Sequence, residues 1–238
     1  MGTVLEMIRF TARIVLAIAV SASLAACGND PNSGVSDVEL GAALKATFAR
    51  IKSGPPVTGP VTAPDAATIA AGREVLQAAG QPIYMVNDPG TSVTAFMAPL
   101  GENGGVITWA NSEYLTLGLR DGVVVATRGF GADMMSANAP TAVQLANGAG
   151  TYQRQFYYLD GADQTQTYSY TCNLSVDGAD TITVLGKSHK TRKISETCEG
   201  KQGSFVNQFW FENGHYLRQS SQLRVQGVGN LLLQRIID

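Results

Sequence analysis

From Gln164 to Val176 the chain alternates without a break. Tyr168, Tyr170, Cys172, Leu174 and Val176 fall on one face, and Thr167, Ser169, Thr171, Asn173 and Ser175 on the other. Side chains of an extended strand point to opposite faces with a period of two, so this run reads as a strand with one buried and one solvated face. Such a strand cannot stand alone and needs paired neighbours. A second signal supplies a pair. Tyr114 to Arg120 places Leu115, Leu117 and Leu119 on one face, Asp121-Gly122 follows, and Val123 to Thr127 returns. Asp-Gly suits a two-residue hairpin turn because both central positions need positive φ. The device recurs after Tyr152 to Leu159 at Asp160-Gly161, and after Val176 at Asp177-Gly178, from which Thr181 to Leu185 returns. It recurs again at Asn213-Gly214, between Phe205 to Phe211 and His215 to Val225. Ile83 to Val86, Ser92 to Met97, Val106 to Ala110 and Leu231 to Ile237 are further strand candidates.

At least eight strands in meander order, with no βαβ rhythm, predict a mainly β fold: one antiparallel, barrel-like domain over residues 36–238. One or two N-terminal helices pack on it. Ser36-Asp37-Val38-Glu39 reads as a capping box ahead of Leu40, Leu44, Phe48 and Ile51 at helical spacing. Ala66 to Ala79 is Ala-rich and stops at Gly80 and Pro82; Pro140 to Asn147 reads as a short helix. A transmembrane barrel is the rival. It would need strands of about ten residues with an apolar outer band, and most of these runs are shorter.

The N-terminus carries an address. Arg9 and Arg13 precede an apolar stretch, Ile14 to Leu24, which is 11 residues long. A membrane span needs about 20, whereas this length suits the h-region of a secretory signal. Leu24-Ala25-Ala26-Cys27 closes it and resembles the lipobox of bacterial lipoproteins. Residues 1–26 then form the signal, Met7 being an alternative start to Met1, and Cys27 becomes a lipidated first residue. Two or more acyl chains anchor a protein stably where one does not. Residues 27–35 read as a polar tether. Gly28, in place of Asp, directs the expectation to the periplasmic face of the outer membrane.

Without the signal the chain has fifteen basic and eighteen acidic residues, a formal charge of −3 with both histidines neutral. Nothing in that balance points to nucleic acid, which wants a clustered basic surface. Cys172 and Cys198 remain once Cys27 is lipidated. In an oxidising compartment they read as a disulfide, with a metal pair or redox pair as alternatives. Since Cys172 points inward with the tyrosines, its partner is expected on a segment folding over that face.

A search for catalytic chemistry is mostly negative. His189 and His215 have no ligand-spaced neighbour, and neither H-E-x-x-H nor G-x-S-x-G occurs. Gly186-Lys187-Ser188 ends like a phosphate-binding loop, but Thr181 stands where its first Gly is required. No metal, cofactor or catalytic residue is assigned. Lys187, Lys190, Arg192 and Lys193, with His189, make the one concentrated charge. They are either a solvated hairpin arm or a contact for an acidic partner or polymer. Trp109, Tyr157, Tyr158, Trp210 and Tyr216 could stack on sugar rings or serve as core and rim.

One segment goes beyond generic β-structure. Leu115 to Arg120 and Gly122-Val123-Val124-Val125-Ala126-Thr127-Arg128-Gly129-Phe130-Gly131-Ala132-Asp133-Met134-Met135, preceded by Ile107-Thr108-Trp109, resemble the central signature of the YjbF/GfcB group of lipoproteins. That signature has the form L-x-L-R-D-G-x-L-V-A-T-R-G-L-G-x-D-L. Phe130 and Met134-Met135 stand where aliphatic residues are common. The closing run from Phe209-Trp210-Phe211 through Asn213-Gly214 to Arg218-Gln219-Ser220 and Leu231 to Ile236 is similar as well. The resemblance implies a compact barrel-like lipoprotein of an operon for exopolysaccharide or group 4 capsule. It also implies an outer-membrane β-barrel exporter and a periplasmic protein as neighbours, with no catalytic residues to carry over. The expected function is therefore a non-enzymatic accessory role in polysaccharide secretion or assembly. The alternative is a carrier of a lipid or other hydrophobe in a closed barrel; a polysaccharide hydrolase ranks third. Within the signature, Gly129 and Gly131 permit a sharp turn, and Asp133 can bond nearby backbone N–H groups.

Overall fold

Twelve antiparallel strands form one sheet that curls into a nearly closed barrel, in the order β5-β4-β3-β2-β1-β12-β11-β10-β9-β8-β7-β6. The computed structural model describes residues 66–88, 93–225 and 229–238. The signal, Cys27, the tether and the helix predicted from Ser36 lie outside the described residues. The strands are β1 (Ile83–Asp88), β2 (Val93–Asn103), β3 (Val106–Ala110), β4 (Thr116–Arg120), β5 (Val123–Arg128), β6 (Met134–Asn138), β7 (Gly150–Leu159), β8 (Thr165–Val184), β9 (Lys187–Gly200), β10 (Gly203–Glu212), β11 (Tyr216–Val225) and β12 (Gly229–Ile237). Helix α1 (Ala66–Ala78) precedes β1, and α2 (Ala142–Asn147) joins β6 to β7.

Turn chemistry sets the register. Asp121 and Gly122 have φ of 51° and 84°, and Asn213 and Gly214 of 52° and 82°, which are the turns expected of those dipeptides. Asp177-Gly178 is different. It is a bulge inside β8, where the register shifts between Val176 and Gly178 opposite β9. Gly178 alone has positive φ, and Asp177 accepts a bond from Ser195 Oγ at 2.7 Å. The two runs expected on either side are one strand, and the turn comes at Leu185-Gly186, with φ of 43° and 77°. The loop after Leu159 is also longer than two residues. Asp160 Oδ1 accepts from the backbone of Ala162 and Gln164, and Asp163 takes the positive φ. Tyr114 does not belong to β4; it sits in the turn before it at φ 63°.

The inner face carries the core. Tyr84, Val86, Met97, Trp109, Leu117, Leu119, Phe156, Tyr170, Leu231 and Leu233 are buried in one cluster. At about 1.5–3 kcal/mol for each large apolar side chain fully buried, this cluster is the main source of stability. Helix α2 joins a second cluster, with Leu145 among Val123, Ile194, Phe209 and Phe211. Thr141 caps α2 reciprocally with Gln144, and Gly148 ends it at φ 71°. A Cβ at Gly148 would lie 2.5 Å from Val176 Cγ2, so only glycine fits. Helix α1 contributes Leu76 to a third cluster with Ile83, Ile182, Val184, Trp210 and Ile236. Arg73 ties it down by donating to the carbonyls of Leu185, Ile236 and Val184 at 3.1, 3.0 and 2.5 Å. With Thr, Ser, Gln and Asn outside and aromatics inside, β7 and β8 reverse the polarity of a transmembrane barrel.

Candidate functional site

Strands β5 and β6 are consecutive in the chain yet lie at opposite ends of the strand order, without a ladder between them. Side chains of the signature segment bridge the gap. The Asp133 carboxylate accepts from Gly129 N at 2.8 Å, Phe130 N at 3.1 Å and Thr127 Oγ1 at 3.0 Å. Thr127 Oγ1 in turn accepts from Met134 N at 2.9 Å. Arg128 donates to the carbonyls of Thr127, Met134 and Met135. Gly129 has φ 85°, and a Cβ there would lie 2.9 Å from Leu115 Cδ2 and 3.3 Å from Tyr114 O. Asp133 thus makes the local backbone bonds expected of it. The segment is also tied across the barrel. Arg224 of β11 donates to Phe130 O, and its Nε lies 3.6 Å from Asp88 of β1. Gln222 donates to Gly122 O and accepts from Val124 N, bridging β11 to the β4–β5 turn through the interior.

A second constellation sits deeper. Arg154, in phase with Tyr152, Phe156 and Tyr158 on β7, points inward and is 1% exposed. Its Nε donates to Glu196 Oε1 at 3.0 Å. Tyr152 OH donates to the same oxygen, and Asn207 Nδ2 to Glu196 Oε2 at 2.5 Å. Burial raises the Tyr152 pKa, and the neighbouring Glu196 charge raises it further, so the phenol stays a donor. A buried carboxylate with three donors and one matching cation is neutralised where it stands. Beside it Cys172 and Cys198 are joined by a disulfide with Cα atoms 4.0 Å apart. They are direct partners in the β8–β9 ladder. The partner of Cys172 therefore comes from the adjacent strand, not from a segment crossing over the face. Among the described residues, the one group with metal-ligand proximity is Cys172, Glu196 and Cys198, and the bonded sulfurs are not available as thiolates.

The basic stretch is divided by the fold. Lys187 and Lys190 are exposed on β9, while His189 between them is buried and meets Glu212 at 3.0 Å. Arg192 donates to Ala146 O at the end of α2. Lys193 lies over the Trp210 ring, 5.2 Å from its centroid, with Asp177 at 3.8 Å. Of the aromatics, Trp109, Tyr158 and Trp210 belong to the core, and Tyr157 and Tyr216 are half-buried at the surface. The interior that a carrier would need open is occupied by the aromatic cluster and the Arg154–Glu196 network.

The sequence match agrees with this architecture. Residues 41–236 match the family described as group 4 capsule polysaccharide lipoprotein gfcB, YjbF. The chain belongs to the YjbF family. Its barrel is similar to the crystal structure of the hypothetical lipoprotein YmcC from Escherichia coli K12, at 13% identity and a TM-score of 0.62. That match covers 75% of this chain and 98% of the other, and it supports the fold. No functionally curated protein matches the sequence. Sequence reasoning missed the buried network of Arg154, Glu196 and Asn207. Its signal was available for Arg154, whose position in the period-two pattern puts it among inward-facing aromatics.

Proposed function

We propose that this chain is a lipid-anchored protein on the periplasmic face of the outer membrane, acting without catalysis of its own as an accessory factor in capsule or exopolysaccharide secretion or assembly. The observation that carries the reading is the family match over residues 41–236, to a group 4 capsule polysaccharide lipoprotein. The anchor rests on the lipobox Leu24-Ala25-Ala26-Cys27. Two structural features support an accessory role over the alternatives. The interior is packed with side chains, which disfavours a carrier. The buried carboxylates Glu196 and Asp88 each face an arginine, Arg154 and Arg224, which disfavours a hydrolytic pair. A tether of about ten residues spans roughly 17–20 Å r.m.s., so the barrel works close to the membrane. The partners in this reading are an outer-membrane β-barrel exporter and a periplasmic protein of the same operon. Lys187 and Lys190 are the contacts for an acidic partner, with Arg192 and Lys193 holding the arm that presents them. Deletion of the gene is expected to lower surface polysaccharide under producing conditions, with recovery on complementation. Unchanged surface polysaccharide in the deletion strain would overturn the reading.

A further inference from the structure

The outer face of β7 from Thr151 to Tyr157, with the facing parts of β8 from Thr167 to Ser175 and of β9 from Ser195 to Thr197, is a polar surface with no charged side chain. Soluble surfaces ordinarily intersperse both signs of charge. Here most exposed charges gather in turns and at strand ends, as at Glu102, Asp121, Asp163, Lys187 and Lys201, while Asp177 stands at the bulge inside β8. On β7 from Thr151 to Tyr157 and on β8 from Thr167 to Ser175 the outward positions are Thr, Ser, Gln and Asn, with Tyr157. They are organised in cross-strand pairs. Thr151 Oγ1 donates to Asn173 Oδ1 at 2.6 Å, and Gln153 Nε2 to Thr171 Oγ1 at 2.9 Å. Gln155 pairs with Ser169 in the same way at 3.5 Å and accepts from Tyr157 OH at 2.9 Å. The rows continue onto β9 and β10, as in Asn173–Thr197–Val206 and Ser175–Ser195–Gln208. On β9 the row through Thr171 ends at Glu199, and beyond the Ser175–Ser195 row Asp177 accepts from Ser195 Oγ and lies 3.8 Å from Lys193, so the uncharged patch is bounded by an acid on one side and an ion pair on the other.

We propose that this face binds a polysaccharide through its uncharged hydroxyls and ring faces. The inference rests on the capsule reading above and assigns that reading a surface. Charge matching selects the occupant. Within those bounds the patch has no lysine or arginine and offers no ion-pair attraction to anionic headgroups or acidic proteins, and its near-neutrality matches a hydroxyl-rich chain. The donor and acceptor inventory fits as well. Each primary amide has two N–H donors and two lone pairs, and one cross-strand bond leaves the remainder for sugar hydroxyls. The pairs also hold the amides in fixed orientations, so little side-chain entropy is lost on binding. Half-buried Tyr157, its hydroxyl held by Gln155, presents an apolar ring at the margin for a pyranose face. Side chains about 4.8 Å apart within a row, in rows about 6.8 Å apart along the strands, give a periodic surface suited to a periodic polymer.

The test uses the full-length lipoprotein in detergent and surface polysaccharide isolated from its own host, by retardation in native gels cast with and without the polymer. The wild type is expected to be retarded. Asn173→Ala with Gln153→Ala is expected to weaken retardation roughly tenfold, the loss of two net hydrogen bonds. Its melting temperature should stay within about five degrees of the wild-type value, because both side chains are exposed and cross-strand pairs contribute little each. Equal retardation of wild type and double variant overturns the assignment of the face. No retardation of the wild type, when deletion of the gene still abolishes surface polysaccharide, overturns the polymer-binding inference and leaves the capsule reading standing. A wild-type dimer in sedimentation that the double variant dissociates identifies the face as self-associating and overturns the inference too.

Discussion

Two junctions close this barrel, and they work by different means. At one, β1 and β12 bring the first and last strands together in a ladder from Ile83–Ile237 to Asn87–Leu232. Behind it Val86 and Leu233 pack in the core. At the other, β5 and β6 are separated by only five residues, 129–133, yet share no ladder. Thr127, Arg128 and Asp133 bridge that gap with side chains. The chain-distant pair has to offset a large loop-closure entropy, and a ladder backed by apolar burial does so. The chain-adjacent pair carries little such cost and is held by a few polar bonds. The segment from Thr127 to Met135 is therefore a staple of the fold, and its polar groups are largely engaged by its own backbone.

The contrast can be broken from either side. Leu233→Ala removes a buried leucine behind the β1–β12 ladder and should cost about 3–4 kcal/mol. For an ordered domain of this size that is a fall in melting temperature of roughly 6–15 °C. Asp133→Ala strips three donors at the β5–β6 junction of their acceptor and should cost about 2–3 kcal/mol. Asp133→Asn, which keeps one acceptor oxygen, should recover part of that loss. If Asp133→Ala melts with the wild type, the staple has been misassigned.

Acid should loosen the two junctions unequally. Next to the β12 end, Arg218 donates to Glu212 at 2.8 Å and to both Asp238 oxygens at 2.8 and 3.1 Å. Burial alone would raise the pKa of Glu212, but hydrogen bonds from His189 and Arg218 outweigh it and hold it below the ordinary carboxylate value. Burial likewise opposes, and Arg218 and Tyr216 outweigh, the shift that leaves Asp238 lowered. A lowered folded pKa contributes stability that is complete above the ordinary carboxylate value and is lost as pH falls through the folded one. Arg218→Met should therefore destabilise the protein at neutral pH, and its difference from wild type should shrink in melts run at progressively lower pH. A difference that stays constant down to acid pH would remove these carboxylates from the account. The smallest effect is expected far from both junctions. Lys187→Gln with Lys190→Gln should change stability by no more than about 0.5 kcal/mol, since exposed charges contribute little.

Where the sequence follows a local rule, the structure was legible in it. Asp121-Gly122 and Asn213-Gly214 predicted their hairpins because both residues take positive φ. The inward phase of Tyr170 and Cys172 followed from alternation, and α1 and α2 from their punctuation. Asp177-Gly178 misled because a bulge also recruits glycine at positive φ, and nothing local separates a bulge from a turn. Strand β9 was hidden because its buried positions switch faces, His189 and Thr191 on one and Glu196 on the other, and all three are polar residues whose burial depends on partners in β7, β8 and β10. The same dependence divided the basic stretch, since only tertiary packing sends Arg192 to α2 and Lys193 to Trp210. The β5–β6 gap had no sequence signature of its own beyond a turn.

The central claim is that this barrel serves surface polysaccharide from a membrane tether. Cys27→Ser, introduced at the native locus, tests it most directly when the protein is fractionated and surface polysaccharide is measured in the same cells. The account predicts that the variant loses lipidation, leaves the outer-membrane fraction, and lowers surface polysaccharide toward the level of the gene deletion. Wild-type polysaccharide, or normal recovery of the variant in the outer membrane, would contradict it.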